Sequence, residues 1–313
     1  MPEILTVTLN PALDVSTSID RIKPTHKMRC QPAQTHAGGG GINVARVVRR
    51  LGGDCVALFP AGGAHGELLH QLLRADQVPC EVTPIAQDTR ESFSVLELST
   101  GQQWRFVLPG PTLAEAEWQL CLDAIAAMAP APRFLVASGS LPPGVPDDFY
   151  ARLTRLALSR GSRMVLDTSG PALKAALDEG VYLFKPSLSE LRGLTGLALT
   201  HEAQWRQAAQ DIVQRGQAEV VALSLGDQGA LLVTAQATWR APSLPVPVVA
   251  STIGAGDSFL GALVWALSDG QAMEEAFCMA MAAGASALRA PGTALCDVDD
   301  VRQLRQQVQL TRL

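Results

Sequence analysis

The chain has 313 residues, of which 47% are hydrophobic and 18% charged, and a net charge of −5. That length and apolar content can fill a large α/β core, and the acidic balance excludes the basic face that nucleic-acid and membrane-surface proteins display. No apolar run is long enough to cross a bilayer, and Met1-Pro2-Glu3-Ile4 lacks the basic and apolar regions of a signal peptide, so a cytoplasmic location is expected.

Ile4 to Leu9 alternates aliphatic residues with threonine and reads as a strand that closes at Asn10-Pro11. Residues from about 12 to 36 are polar and proline-bearing, an excursion more than part of a core. The run Gly38-Gly39-Gly40-Gly41 follows, then a helix predicted over Asn43 to Leu51, with Val44, Val47, Val48 and Leu51 on one face. Cys55 to Phe59 is a buried strand and Glu67 to Arg74 a helix. A second excursion, about 88 to 108, carries a hairpin signal around Thr100-Gly101.

From there strand and helix alternate. Helices are expected over Leu113 to Met128, Asp148 to Arg160 and Glu202 to Arg215. Strands are expected over Arg133 to Ala137, Met164 to Asp167, Val181 to Phe184 and Val220 to Leu225, the last with a hairpin partner at Gly229 to Thr234. Asp257 to Leu267, Glu274 to Arg289 and about Val298 to Val308 complete the helices. Such alternation implies an α/β fold with a mostly parallel central sheet and helices on both faces, where ligands lie beyond the carboxyl ends of strands. No internal repeat or linker divides 1–313.

Ser251-Thr252-Ile253-Gly254-Ala255-Gly256-Asp257 is the most informative stretch. Glycines allow a tight turn, and the first N–H groups of the helix that follows make an anion site. Asp257 beside such a site suits a base in phosphoryl transfer, although an aspartate after a Gly turn also caps helices. The tetraglycine run is no dinucleotide fingerprint. The required spacing would put glycine at Asn43, and no acidic residue ends the next strand. It reads instead as backbone open to a small polar ligand, with Asn43 adding an amide. Asp14, at a strand end, suits two sugar hydroxyls or a plain turn. Lys27, Arg29 and Arg90 lie in the two excursions and suit an anionic substituent if both fold over one mouth. Lys185-Pro186-Ser187-Leu188-Ser189-Glu190 ends a buried strand, and Ser224-Leu225-Gly226 makes another Gly-bounded turn. The six cysteines (Cys30, Cys55, Cys80, Cys121, Cys278, Cys296) contain no Cys-x-x-Cys pair and read as reduced thiols.

Asn10 to Asp14, Gly38 to Ala45, Ser138 to Gly144, Lys185-Pro186 with Glu190, and Thr252 to Asp257, in this order and spacing, resemble the ribokinase-like carbohydrate kinases of the PfkB type over essentially the full chain. Within the family, Lys27 to Cys30, Phe59 to Gly63 and Arg105 to Gly110 fit the bacterial minor 6-phosphofructokinases. The resemblance implies one ribokinase-like domain with a small β-sheet lid made by 12–36 and 88–108, with lids that pair into a homodimer. It implies ATP-dependent phosphorylation of fructose 6-phosphate at its 1-hydroxyl.

Asp257 is then the base, and Gly254, Ala255 and Gly256 the anion hole. Asp14, Gly39, Gly40, Asn43 and Ser140 line the sugar, and Arg90 with Arg29 and Lys27 clamps its phosphate. Lys185, Ser187, Ser224, Gly226, Ala283 and Gly284 face ATP, with Glu190 toward Mg²⁺. Ser251, Ile253, Ala287, Ala290 and Gly292 match the loop that holds a monovalent cation such as K⁺.

Two departures matter. Ser187 stands where the family usually has asparagine. The lysine that sister kinases for fructose 1-phosphate and tagatose 6-phosphate commonly carry is absent at Gly40, which favours fructose 6-phosphate. Those acceptors remain the alternatives, and a non-catalytic sugar-phosphate sensor is the alternative of another class.

Overall fold

The computed structural model describes residues 2–247, 252–290 and 294–313. The first half runs β1 (Ile4–Val7), β2 (Ala12–Ile19), β3 (Gln34–Gly38), α1 (Gly40–Arg50), β4 (Cys55–Ala61), α2 (Gly63–Ala75), β5 (Cys80–Pro84), β6 (Arg90–Glu97), β7 (Gln103–Val107), α3 (Glu115–Ala127), β8 (Phe134–Ser138) and α4 (Phe149–Ser159). The second runs β9 (Arg163–Asp167), α5 (Gly170–Leu177), β10 (Val181–Phe184), α6 (Leu188–Thr195), α7 (Glu202–Gln214), β11 (Ala218–Ser224), β12 (Ala230–Thr234), β13 (Thr238–Ala241), α8 (Ala255–Ser268), α9 (Met273–Arg289), α10 (Val298–Arg305) and β14 (Thr311–Arg312).

Among the described residues, ten strands form the central sheet in the order β14-β13-β12-β11-β10-β9-β8-β1-β4-β5. The strands from β11 to β5 are mutually parallel, whereas β12, β13 and β14 extend the edge antiparallel. Alternation along each strand divides the core in two. Ile4, Val136, Val165 and Leu183 pack under α1, α8 and α9, while Leu5, Leu135, Leu166 and Phe184 pack under α3, α4 and α7. Being covered on both faces, β8 (FLVAS) is buried at every position and carries an almost unbroken apolar run. The chain leaves β1 toward β4 on one side and toward β8 on the other. The order therefore reverses at β1, and a crevice opens beyond the ends of β1 and β8.

A separate four-stranded sheet, β3-β2-β6-β7, covers that crevice. Its register sets Asp14 beside Ser92, Ser92 beside Val107, and Ser94 beside Arg105 on one face. Phe93 with Phe106, and Val95 with Trp104, fall on the other. One face is thus mainly polar and turned to the crevice, and the other is aromatic and aliphatic.

Several elements were not foreseen. β2 and β3 are regular strands within what reads as an irregular excursion, because their polar residues alternate on a face that meets a cleft instead of a core. α5 and α6, eight residues each, are too short for helical periodicity to show, β5 and β14 are the edge strands, and β13 lies next to the edge. Helix starts also move. α1 begins at Gly40, so Asn43 lies one turn inside the helix and its N–H is bonded to Gly39 O at 2.9 Å. α8 begins at Ala255. Among the described residues, no helix is long and apolar enough to cross a membrane.

Candidate active site

The N-terminus of α8 faces the crevice. Gly254 is its N-cap in the left-handed region (φ +80°), which a side chain would strain, and a Cβ there would sit 2.9 Å from Leu295 Cδ2. Asp257 is the third residue of the helix and does not cap it. Its half-buried carboxylate accepts a 2.8 Å hydrogen bond from Asn43 Nδ2 on α1, the helix packed directly against α8. Burial pushes the Asp257 carboxyl up, and the Asn43 donor, Lys185 and Arg105 pull against that shift.

Lys185, at the end of β10, is buried and pairs with Asp167, at the end of the adjacent β9, at 3.1 Å. Burial disfavours the Lys185 ammonium, but Asp167, Glu190 and Asp257 outweigh it and hold its pKa above the ordinary value. Asp167 is pushed up to about 6 by burial, opposed by Lys185 and reinforced by Asp257 and Glu190. One carboxylate thus pairs with the buried ammonium directly, and two more act on it at longer range. A Cβ on Gly256 would lie 3.7 Å from Lys185 Nζ, so positive charge and the helix N-terminus converge. Ser187 and Glu190 form a capping box on α6: Ser187 Oγ accepts from Glu190 N (3.2 Å), and Glu190 Oε2 accepts from Ser187 N (2.7 Å).

The small sheet contributes Asp14, Arg90 and Arg105. Asp14 is buried against Gly38, where any Cβ would collide with its carboxylate. Burial raises its pKa against the pull of Arg105, Arg90 and Arg46. Arg90 donates to Leu108 O (2.9 Å) and Asn10 O (3.0 Å), and its Nε is buried without a protein partner. Ser140, after β8, accepts from Asn10 Nδ2 at 3.2 Å.

Two cavities meet here. One, about 530 Å³, is walled by Asp14, Asn43, Arg90, Arg105, Ser140 and Asp257. The other, about 450 Å³, is lined largely by Leu244, Val246, Phe259, Met281 and Leu288. Both share Lys185, Ser224, Thr252 and Gly256. A polar chamber and an apolar one thus abut where the lysine and the helix N-terminus lie.

The sequence model of the pfkB family carbohydrate kinases matches residues 7–300. The chain belongs to the pfkB family of carbohydrate kinases. It is 49% identical over 302 residues to the ATP-dependent 6-phosphofructokinase isozyme 2 of Mycobacterium tuberculosis, covering 96% of this chain and 88% of that one. Its fold superposes on the phosphofructokinase-2 of Escherichia coli in complex with potassium, with a TM-score of 0.93 and 41% identity, over 98% of this chain and 99% of that one. The same enzyme in complex with fructose-6-phosphate gives a TM-score of 0.91 at 40% identity, with the same coverage. The fold is ribokinase-like, with a large mostly parallel sheet and a small separate one.

Of the residues that the pfkB resemblance singles out, Asp14, Gly39, Gly40, Asn43, Arg90, Ser140, Lys185, Ser187, Glu190, Ser224, Ile253, Gly254, Gly256 and Asp257 come together on the polar cavity. Ala255, Gly226 and Gly284 line the apolar one, and Ala283 is buried behind its wall. Ala287 and Ala290 sit at the end of α9, where Ala287 O accepts from Ala290 N (3.2 Å). Ser251 and Gly292 lie outside the described residues. Lys27 and Arg29 are exposed between β2 and β3 and do not reach the cavity.

Arg105 does reach it and was missed. The signal was its place on a hairpin strand, on the same face as Gln103 and opposite to Trp104 and Phe106. Asp167 was also missed, although it ends a parallel strand, where ligands gather. The tetraglycine run is more a packing device than expected. A side chain at Gly38 would strike Asp14, one at Gly40 would strike Ser138 Oγ, and one at Gly41 would sit 2.6 Å from Thr8 Oγ1.

Proposed function

We propose that this chain transfers the γ-phosphoryl group of ATP to the 1-hydroxyl of fructose 6-phosphate, giving fructose 1,6-bisphosphate and ADP. The observation that carries it is Asp257, held by Asn43 at the seam of a polar and an apolar cavity, with Lys185 and the α8 N-terminus beside it. The apolar chamber suits a purine base and the polar one a phosphorylated sugar. Phosphates that cross the seam meet the positive end of a helix.

In this reading Asp14, Asn43 and Ser140 orient the furanose hydroxyls, and Arg90 and Arg105 hold the 6-phosphate. Arg90 and Arg105 both line the polar cavity, and guanidinium groups suit a phosphate. The 1-hydroxyl oxygen attacks the γ-phosphorus, its proton passes to the Asp257 carboxylate, and the bond to the ADP oxygen breaks. Lys185 and the N–H groups of Gly254, Ala255 and Gly256 neutralise charge on the moving group. Lys185 is fixed by Asp167, so it needs little reorganisation.

Among the described residues, no group of three or more His, Cys, Asp or Glu side chains is gathered to hold a metal. Mg²⁺ needs only one or two carboxylates when phosphates supply the rest, and Glu190, with one oxygen engaged by Ser187 N–H, fits that role beside Asp167. The ion would shield the β- and γ-phosphate oxygens. Ser187 Oγ accepts from Glu190 N on the α6 cap, which leaves its O–H free to donate to the nucleotide directly or through water, while its own N–H is engaged by Glu190.

The small sheet serves as the lid of a single domain, and its outer face supports a homodimer. Phe93, Trp104, Phe106 and Leu108 are 38%, 42%, 52% and 52% exposed there, an apolar surface that a second copy would cover. The chain acts in the cytoplasm, and the segments that the pfkB resemblance assigns to a monovalent cation, of which Ile253, Ala287 and Ala290 are described, would hold K⁺, the ion in the E. coli complex.

ADP release with Mg²⁺-ATP against fructose 6-phosphate, tagatose 6-phosphate and fructose 1-phosphate tests the reading. Turnover fastest on fructose 6-phosphate is expected. Binding of all three with no ADP formed would instead make the chain a sensor.

A further inference from the structure

Arg46 is the outlier of α1. Its neighbours Val44, Ala45, Val47 and Val48 are buried and apolar, and its own side chain is 3% exposed although it lines neither cavity. A guanidinium is expensive to bury unless its donors are matched. Here they are matched on three sides. Nε donates to Asp76 Oδ2 (2.6 Å), and Nη1 donates to the Ala37 carbonyl (2.9 Å) and to Asn43 Oδ1 (3.4 Å).

The last contact has a chemical consequence. An asparagine amide is almost symmetric in shape, so its hydrogen-bond partners decide which end points where. Asn43 lies between a group that only donates, Arg46, and a group that only accepts when charged, Asp257. With Oδ1 on Arg46, Nδ2 must face Asp257 Oδ2, at 2.8 Å. A reversed amide would set oxygen against carboxylate and NH₂ against guanidinium, unfavourable at both ends.

We propose that Arg46, anchored by Asp76, is a positioning residue for phosphoryl transfer. It locks the Asn43 amide so that a donor, never an acceptor, faces the Asp257 carboxylate. The proposal rests on the reading of Asp257 as the base. The other charged groups around Asp257 are Lys185 from β10, Asp167 from β9, Asp14 from β2 and Arg105 from β7, two of each sign. The Asn43 donor, with Lys185 and Arg105, counters the burial that would otherwise neutralise the base. Asp76 is exposed at the end of α2. The relay therefore runs from the surface through α1 to the reacting centre.

The test compares wild type with Arg46→Met, Arg46→Lys, Asp76→Asn, Asn43→Ala and the Arg46→Met/Asn43→Ala double variant. The readouts are kcat, both KM values, the pH profile of kcat and the melting temperature. For Arg46→Met we expect kcat to fall about tenfold, the scale of one hydrogen bond to a charged group. Its acid limb should move to higher pH, with KM for ATP unchanged. Asp76→Asn should move the limb the same way by less, with the fold intact because the residue is exposed. The double variant should lose no more activity than Asn43→Ala alone, since the effect passes through the amide.

An unmoved acid limb in folded Arg46→Met, or additive losses in the double variant, overturns the proposal. Should Arg46→Met not fold, unmoved limbs in both Arg46→Lys and Asp76→Asn overturn it equally. Failure of the kinase reading looks different: wild type forms no ADP, or Asp257→Asn keeps its turnover.

Discussion

Asp257→Asn separates the chemistry of the site from its architecture. The substitution is nearly isosteric, and the new amide oxygen can accept the same hydrogen bond that Asn43 Nδ2 now gives the carboxylate at 2.8 Å. What is lost is a charge at the third position of α8, where helix polarity favours an anion by only about 0.3–1 kcal/mol. Removing that charge also lifts a burial penalty, since its carboxyl is already pushed up by desolvation. The two effects oppose each other, so the melting temperature should barely change. Catalysis should not be spared, because an amide cannot take the proton of the 1-hydroxyl. Loss of a general base lowers kcat by about 10²–10⁴, or roughly 3–5 kcal/mol of barrier. The KM for fructose 6-phosphate should stay close to wild type, because Asp14, Arg90 and Arg105 still hold the sugar phosphate. A coupled assay of ADP release with a parallel thermal melt reads all three quantities. A folded variant with near-wild-type kcat would refute Asp257 as the base, and a large drop in melting temperature would refute the claim that its role is chemical.

Other outcomes follow from single contacts. Asp167 has its carboxyl raised to about 6, so lowering the pH through that value protonates it and loosens its hold on Lys185. Because Lys185 faces the nucleotide, the KM for ATP should rise as the pH falls through about 6, separately from the acid limb of kcat set by Asp257, and a KM for ATP flat well below that would exclude the pair from nucleotide binding. Gly40→Ala forces a Cβ into Ser138 Oγ and should destabilise the chain by about 1–3 kcal/mol, read as a lower melting temperature. Adding Ser138→Ala should restore much of that loss, because the remaining neighbours stand at 3.1 Å. Trp104→Ser with Phe106→Ser should convert a dimer to a monomer in sedimentation analysis, and an unchanged sedimentation coefficient would place the interface elsewhere.

How much was legible differs between the two sheets. Strands buried on both faces, such as Phe134–Ser138 and Ala218–Ser224, announce themselves as aliphatic runs between helical periods, and so the parallel sheet and most of its long helices could be read from the chain. The Gly254-Ala255-Gly256-Asp257 turn was legible for the same local reason, as a tight turn and a helix start need only neighbouring residues. In the small sheet the β6–β7 hairpin was legible around Thr100-Gly101, whereas β2 and β3 were not legible as strands. The polar face of β2 meets a cleft and is set by its pairing with β6, some eighty residues away.

Sequence by itself determined the α/β alternation, the pfkB resemblance and the segments that carry the site. Only the tertiary structure decided which residues within those segments meet. It brought in Arg105 and Asp167 and left Lys27 and Arg29 at the surface. It also moved Asp257 from the first to the third residue of its helix and placed Ser187 at a cap. The physical reason is that hydrogen bonds and ion pairs such as Asn43–Asp257 and Asp167–Lys185 join groups 214 and 18 positions apart in sequence. No local pattern encodes such pairings, because they exist only once parallel strands align their carboxyl ends and α1 lies against α8.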